Sequence, residues 1–146
     1  NELFCRLVME INQAGLSWHT ILVKENNFRN AYSSFDIKKV AKYGEKDFER
    51  LMNDSGIIRN RLKINAAIHN AKQLLVLQKE SGSFRKWLDQ KEKELGEDKK
   101  AWIQEFKKKF KFVGGEIVGE FLMSVDMLGG SHGEECVRYK KLKKRK

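Results

Sequence analysis

The stretch MEINQAGLSW (residues 9–18) holds a carboxylate, Glu10, flanked by apolar residues, and an indole, Trp18, beyond a glycine. A carboxylate opposes positive charge, and the face of an indole attracts a cation by roughly 0.5–2 kcal/mol. Taken alone, these types also suit the commoner pairing of a surface glutamate with a core tryptophan. A second stretch, SGIIRNRLKI (55–64), places a glycine turn between two helical patterns, with Arg59, Arg61 and Lys63 just beyond it. Such a turn can aim successive backbone N–H groups at a phosphate; an ordinary helix–helix connection is the commoner reading. A third, SHGEEC, sets His132 and Cys136 four apart, a spacing that allows one zinc ion to take both. A structural zinc site needs four ligands, and nothing in the spacing of Cys5, His19 or His69 pairs them with these two. In KKKFKFVGG (107–115) aromatic rings alternate with lysines. That pattern suits nucleic acid contact, although Phe110 or Phe112 also suits a core.

The elements that must position these residues read as helices. Leu3, Phe4, Leu7, Val8 and Ile11 repeat at helical spacing, which predicts a helix over 2–14 stopped by Gly15. Ser17 is the expected cap of a short helix with Trp18, Ile21 and Leu22 inward. Asn26 or Asn27 opens the next piece, with Phe28, Ala31, Tyr32 and Phe35 on one face. Asp36 caps a turn carrying Ile37, Val40 and Ala41. Gly44 breaks the chain before Phe48, Leu51 and Met52. Turn residues follow at Asn53-Asp54-Ser55-Gly56. A long helix starts near Asn60 with Ile64, Ala67, Ile68, Ala71 and Leu75 inward. Further helices carry Phe84, Trp87 and Leu88, then Trp102, Ile103 and Phe106, then Ile117, Val118, Phe121, Leu122 and Val125, the last ended by Gly129-Gly130. No convincing strand alternation occurs. The expectation is an all-α domain of seven or eight mostly short helices over residues 1–137, with a basic tail at 138–146.

Composition narrows the function. The chain of 146 residues has a formal charge of +10 and no proline. RYKKLKKRK (138–146) holds seven basic residues and no acid, so the body is only mildly basic. That tail suits phosphate contact or a solvated end. No apolar run approaches the roughly 18 residues of a membrane helix. Two cysteines are too few for a disulfide framework, which points to a reducing, cytoplasmic setting. Walker-type, GxGxxG and GxSxG motifs are absent, disfavouring kinases, dinucleotide enzymes and elbow-type hydrolases.

The motif MEINQAGLSW and the run GIIRNRLKI, joined in order by ENNFRNAYSSFDIKKVA (25–41), FKFVG (110–114) and FLMSVDMLGGSHGEEC (121–136), resemble the DNA-3-methyladenine glycosylase I family of the helix-hairpin-helix superfamily. The resemblance covers most of the chain. It implies an all-α, helix-hairpin-helix glycosylase bundle. It also implies monofunctional hydrolysis of the N-glycosidic bond to 3-methyladenine in alkylated DNA, releasing the free base without lyase activity. Glu10 would hydrogen-bond the flipped base and Trp18 would stack on it. Gly15 and Leu16 would lie at the DNA surface near the gap. Ser55, Gly56, Ile57, Ile58 and Arg59 would hold the DNA backbone, and His132 and Cys136 would be two of four zinc ligands. The expected partner is alkylated duplex DNA, the expected state a monomer.

The chemistry suits those roles. A base must leave the stack before attack, at a cost of about a few kcal/mol. Methylation of a ring nitrogen makes it cationic and a good leaving group, so selectivity rests on pocket shape and charge more than on a strong general base. The resemblance assigns neither a catalytic aspartate nor a Schiff-base lysine. In the family an upstream segment carries the other two zinc ligands and aromatic pocket walls. Nothing in this chain matches that segment, so a shortened enzyme is expected. The alternative is a catalytically incomplete DNA-binding domain of the same fold.

Overall fold

The spine of the molecule is a 21-residue helix, Arg61–Ser81, about 30 Å long. Asn60 starts it: its side chain accepts the N–H of Lys63 at 3.1 Å. Gly82, at φ +89, ends it. The computed structural model describes residues 1–129 and contains, among them, nine α-helices and one 3-10 turn. These are α1 Glu2–Gln13, α2 Trp18–Val23, α3 Glu25–Ala31, the 3-10 turn Ser33–Phe35, α4 Ile37–Ala41, α5 Glu45–Met52, α6 Arg61–Ser81, α7 Phe84–Leu95, α8 Lys99–Lys109 and α9 Gly115–Ser124. His132, Cys136 and the basic tail lie outside the described residues.

The spine packs α4 and α5 against one part of its length and α7 against another, while α1 lies against both α6 and α9. Two aromatic groups fill the space between. Phe4, Phe28, Tyr32 and Phe35 pack under α1, with the Tyr32 and Phe35 rings stacked 5.7 Å apart. Phe84, Trp87, Phe106, Phe110 and Phe121 join α7, α8 and α9, with Phe84 and Phe121 stacked 5.8 Å apart. Both groups belong to one continuous hydrophobic cluster.

The all-α expectation holds, and several details differ. The described residues form nine α-helices rather than seven or eight, and the short α2 and α4 start at their expected caps, Ser17 and Asp36. Helix α3 begins at Glu25, directly after the end of α2, rather than at an asparagine cap. In α6 the inward stripe runs on through Leu74 and Leu77, and Leu75 is only half-buried. A spine that contacts helices on more than one side buries a wider face than a single stripe. The last helix closes at Ser124, well before Gly129. Of the inward trio expected in α2, only Ile21 is buried; Leu22 is 59% exposed.

Candidate active site

Glu10 sits in the last turn of α1, between Met9 and Ile11, and is only 4% exposed. Its Oε2 is buried with no hydrogen-bond partner. A carboxylate so placed resists ionisation, because burial removes the water that would solvate its charge. Burial, helped by the negative charge of Glu120 and opposed by Arg6, pushes its pKa up to about 7. Three residues on, α1 ends. Ala14 leaves helical geometry, and Gly15 turns the chain at φ +80, where a side chain would be strained. The turn is tied twice: Leu16 N–H donates to the Gln13 carbonyl and Gln13 Nε2 donates to the Leu16 carbonyl, both at 2.8 Å. Ser17 then opens α2, its Oγ accepting from the Thr20 N–H at 3.2 Å. Trp18 is therefore the first residue of α2, and it is 41% exposed. The glutamate is inside and the tryptophan is out, the reverse of their usual placement. Leu16, beside it, is exposed as well.

Lys63, in the first turn of α6, holds this loop from below. Its Nζ donates to the carbonyls of Asn12 at 3.0 Å and Ala14 at 2.8 Å. These are terminal α1 carbonyls with no further helix to bond, so the lysine acts as their cap. The side chain is 6% exposed, and burial lowers its pKa. The Phe112 ring centroid lies 6.0 Å from the ammonium. Phe112 stands in the α8–α9 connection at φ +59, uncommon for a residue with a Cβ. That connection is fixed to α6 by Asn70, whose Nδ2 donates to the Lys111 carbonyl at 3.1 Å and whose Oδ1 accepts the Lys111 N–H at 2.8 Å. Phe110 points into the core, while Phe112 is surface-exposed.

The turn between α5 and α6 stands on the other side of Lys63. Gly56 N–H donates to Asp54 Oδ1 at 2.8 Å, and Ile57 N–H donates to the Asp54 carbonyl at 3.3 Å. These two donors are used inside the turn; no partner is found among the described residues for the N–H groups of Ser55, Ile58 and Arg59. Gly56 has no room for a side chain: a Cβ there would lie 3.0 Å from Asn27 Cγ and from Asp54 Oδ1. Ile57 is buried and anchors the turn, Ile58 is half-buried, and Ser55 and Arg59 are exposed. Lys24, between α2 and α3, reaches the Ser55 carbonyl at 3.4 Å. Lys63 and Lys24 thus join the Gly15–Trp18 loop and the Ser55–Arg59 turn into one assembly.

Sequence reasoning reached Glu10, Gly15, Leu16, Trp18 and the turn. It treated Lys63 only as added charge near a phosphate. The signal that distinguishes it is the stripe of α6, which puts position 63 beside inward Ile64 and Ala67. His19 is exposed, and Cys5 is a buried thiol whose pKa burial raises to about 11. His132 and Cys136 are outside the described residues, and among those described no group of three His, Cys, Asp or Glu could hold a metal.

The family model described as methyladenine glycosylase matches residues 1–139. A DNA-3-methyladenine glycosylase of Haemophilus influenzae is 42% identical over 83 residues, which are 57% of this chain and 45% of that protein. DNA-3-methyladenine glycosylase 1 of Escherichia coli is 46% identical over 83 residues, 57% of this chain and 44% of its own length. The matched region thus spans less than half the length of either relative. Among solved structures, a 3-methyladenine DNA glycosylase I superposes with a TM-score of 0.80 at 33% identity, over 93% of this chain and 83% of that one. The Staphylococcus aureus enzyme, described by its recognition of 3-methyladenine, gives 0.83 at 28%, over 93% and 80%. Helix order, superposition and a family match over nearly the whole chain agree: this chain belongs to the methyladenine glycosylase family.

Proposed function

We propose that this chain forms the catalytic body of a base-excision glycosylase that hydrolyses the N-glycosidic bond of 3-methyladenine in alkylated duplex DNA. The observation that carries the reading is the buried, unpartnered carboxylate of Glu10, one turn before a loop that presents an exposed tryptophan.

A flipped base methylated on a ring nitrogen brings a positive charge to that carboxylate. Glu10 is held near neutrality by burial; the arriving cation favours its ionised form, and the proton leaves to solvent. The ionised oxygen accepts from the exocyclic amine, a charge-assisted bond. Trp18 lays its π-face on the cationic ring. When the C–N bond breaks, its electron pair moves into the base and cancels the positive charge, while water adds at the sugar C1′ and gives up one proton to solvent. The departing group needs no protonation, so no general acid is assigned. Leu16 stands at the helix gap, Gly15 allows the backbone to approach the DNA closely, and the Ser55–Arg59 turn of a helix-hairpin-helix grips the phosphates.

His132 and Cys136 would supply two of the four ligands that a structural zinc ion needs. For the activity, the chain is incubated with methylated duplex DNA and the free base is quantified by chromatography. Release of 3-methyladenine above the spontaneous rate is expected. Duplex binding without release would favour a DNA-binding domain alone and overturn the enzymatic reading.

A further inference from the structure

Glu10 is not the only acid on its side of α1. Arg6, one turn earlier on α1, donates from Nη1 to the Ser124 carbonyl at 3.1 Å. Ser124 ends α9, and one turn back along α9 stands Glu120. Glu10 lies one turn beyond Arg6 and Glu120 one turn before Ser124, so both acids stand one turn from this contact between the helices. The two helices are in contact, and the charges of Glu10 and Glu120 act on each other. Glu120 is exposed and makes no ion pair or hydrogen bond among the described residues.

The charges around Glu10 can be named element by element. Its own helix brings Arg6, held by the Ser124 carbonyl. Helix α6 brings Lys63, whose ammonium is taken up by the Asn12 and Ala14 carbonyls. Helix α2 brings His19, which is exposed. Helix α9 brings Glu120. The 3-10 turn Ser33–Phe35 brings no ionisable side chain. A second acid facing a buried acid raises the cost of ionising the first. This arrangement is unfavourable in the empty protein and turns favourable when a cation enters between them, because both carboxylates then attract the same charge.

We propose that Glu120 is a specificity-determining carboxylate of the base site, adding negative potential at Glu10 so that cationic bases are preferred over neutral bases of the same shape. The proposal rests on the base-site reading given above. Its effect is moderate, because Glu120 faces solvent and is screened by salt.

The test compares the wild-type chain with Glu120→Gln, a change at an exposed position. Two probes are used: 3,9-dimethyladeninium, which is permanently cationic, and its neutral 3-deaza isostere. Binding is followed by tryptophan fluorescence, and the Glu10 carboxyl carbon is titrated by NMR. In Glu120→Gln, cation affinity is expected to fall about threefold at low salt with neutral-probe affinity unchanged. The Glu10 midpoint should drop by about half a pH unit. Equal changes for both probes, or no change for either, in a chain that binds the cation would overturn the role of Glu120. An unmoved Glu10 midpoint would overturn it too. Failure of the wild-type chain to bind the cation at all would instead overturn the base-site reading, and this proposal with it.

Discussion

At the residue scale, the informative fact is an inversion. Glutamate is rarely fully buried without a partner, and tryptophan is usually mostly buried. Here Glu10 is inside and Trp18 is at the surface. The sequence shows both residues and their spacing, but composition favours the opposite placement. Only the turn geometry at Gly15 and the Ser17 cap decide which way each side chain faces. Two predictions belong at this scale. Trp18→Ala removes the stacking face and should weaken binding of a cationic methylated base about tenfold with no loss of helix content, measured by fluorescence-independent calorimetry. Unchanged affinity would remove Trp18 from the site. The second concerns stability. Glu10 binds its proton up to about pH 7 when folded, against an ordinary value of 4.5. Between those values the folded chain holds more protons than the unfolded one, so stability falls as pH rises, by roughly 3 kcal/mol in all. Glu10→Gln lacks this penalty. It should match wild type in denaturant unfolding at pH 4 and exceed it at pH 8; equal stability at both pH values would contradict the burial argument.

At the element scale, the loop after α1 and the turn before α6 are joined by one buried lysine. The caps were legible in the sequence: Ser17, Asp36 and Asn60 all start helices as their types require. The tie made by Lys63 was not, because a lysine close to a glycine turn reads as solvent-facing charge. Its burial depends on Asn12 and Ala14, some fifty positions away in the chain, arriving with free carbonyls. Lys63→Met keeps the apolar stem and removes the donors. Leaving two buried carbonyls unsatisfied should cost about 2–4 kcal/mol in denaturant unfolding. Release of 3-methyladenine should fall as the loop loosens. A variant as stable as wild type would mean that these carbonyls find other partners. The turn itself corrects a simpler picture of phosphate contact. The glycine N–H of Gly56 is already used by Asp54, so the amides of Ser55, Ile58 and Arg59 are the ones that would remain for a phosphate.

At the scale of the whole molecule, periodicity alone identified the all-α class, because aromatic and aliphatic residues recur at helical spacing in nearly every segment. The width of the buried face of α6 was less legible, since it depends on how many neighbours the spine has. Among the described residues no helix is long and apolar enough to cross a membrane. The charge is concentrated in residues 138–146, which carry seven of the thirty basic residues. If they meet phosphates, deleting them should reduce the slope of log affinity against log salt by several units while leaving base recognition intact; each phosphate contact contributes about 0.9 to that slope. An unchanged slope would assign DNA affinity to the body alone.

In the proposed function the Glu10 carboxylate recognises the damaged base. Its most direct test is single-turnover release of 3-methyladenine from methylated duplex DNA by wild type and Glu10→Gln, with duplex binding measured in parallel. Glu10→Gln is expected to bind the duplex normally and to release the base about 10- to 100-fold more slowly, the loss of one charge-assisted hydrogen bond. Release at the wild-type rate by a normally bound variant would contradict the account.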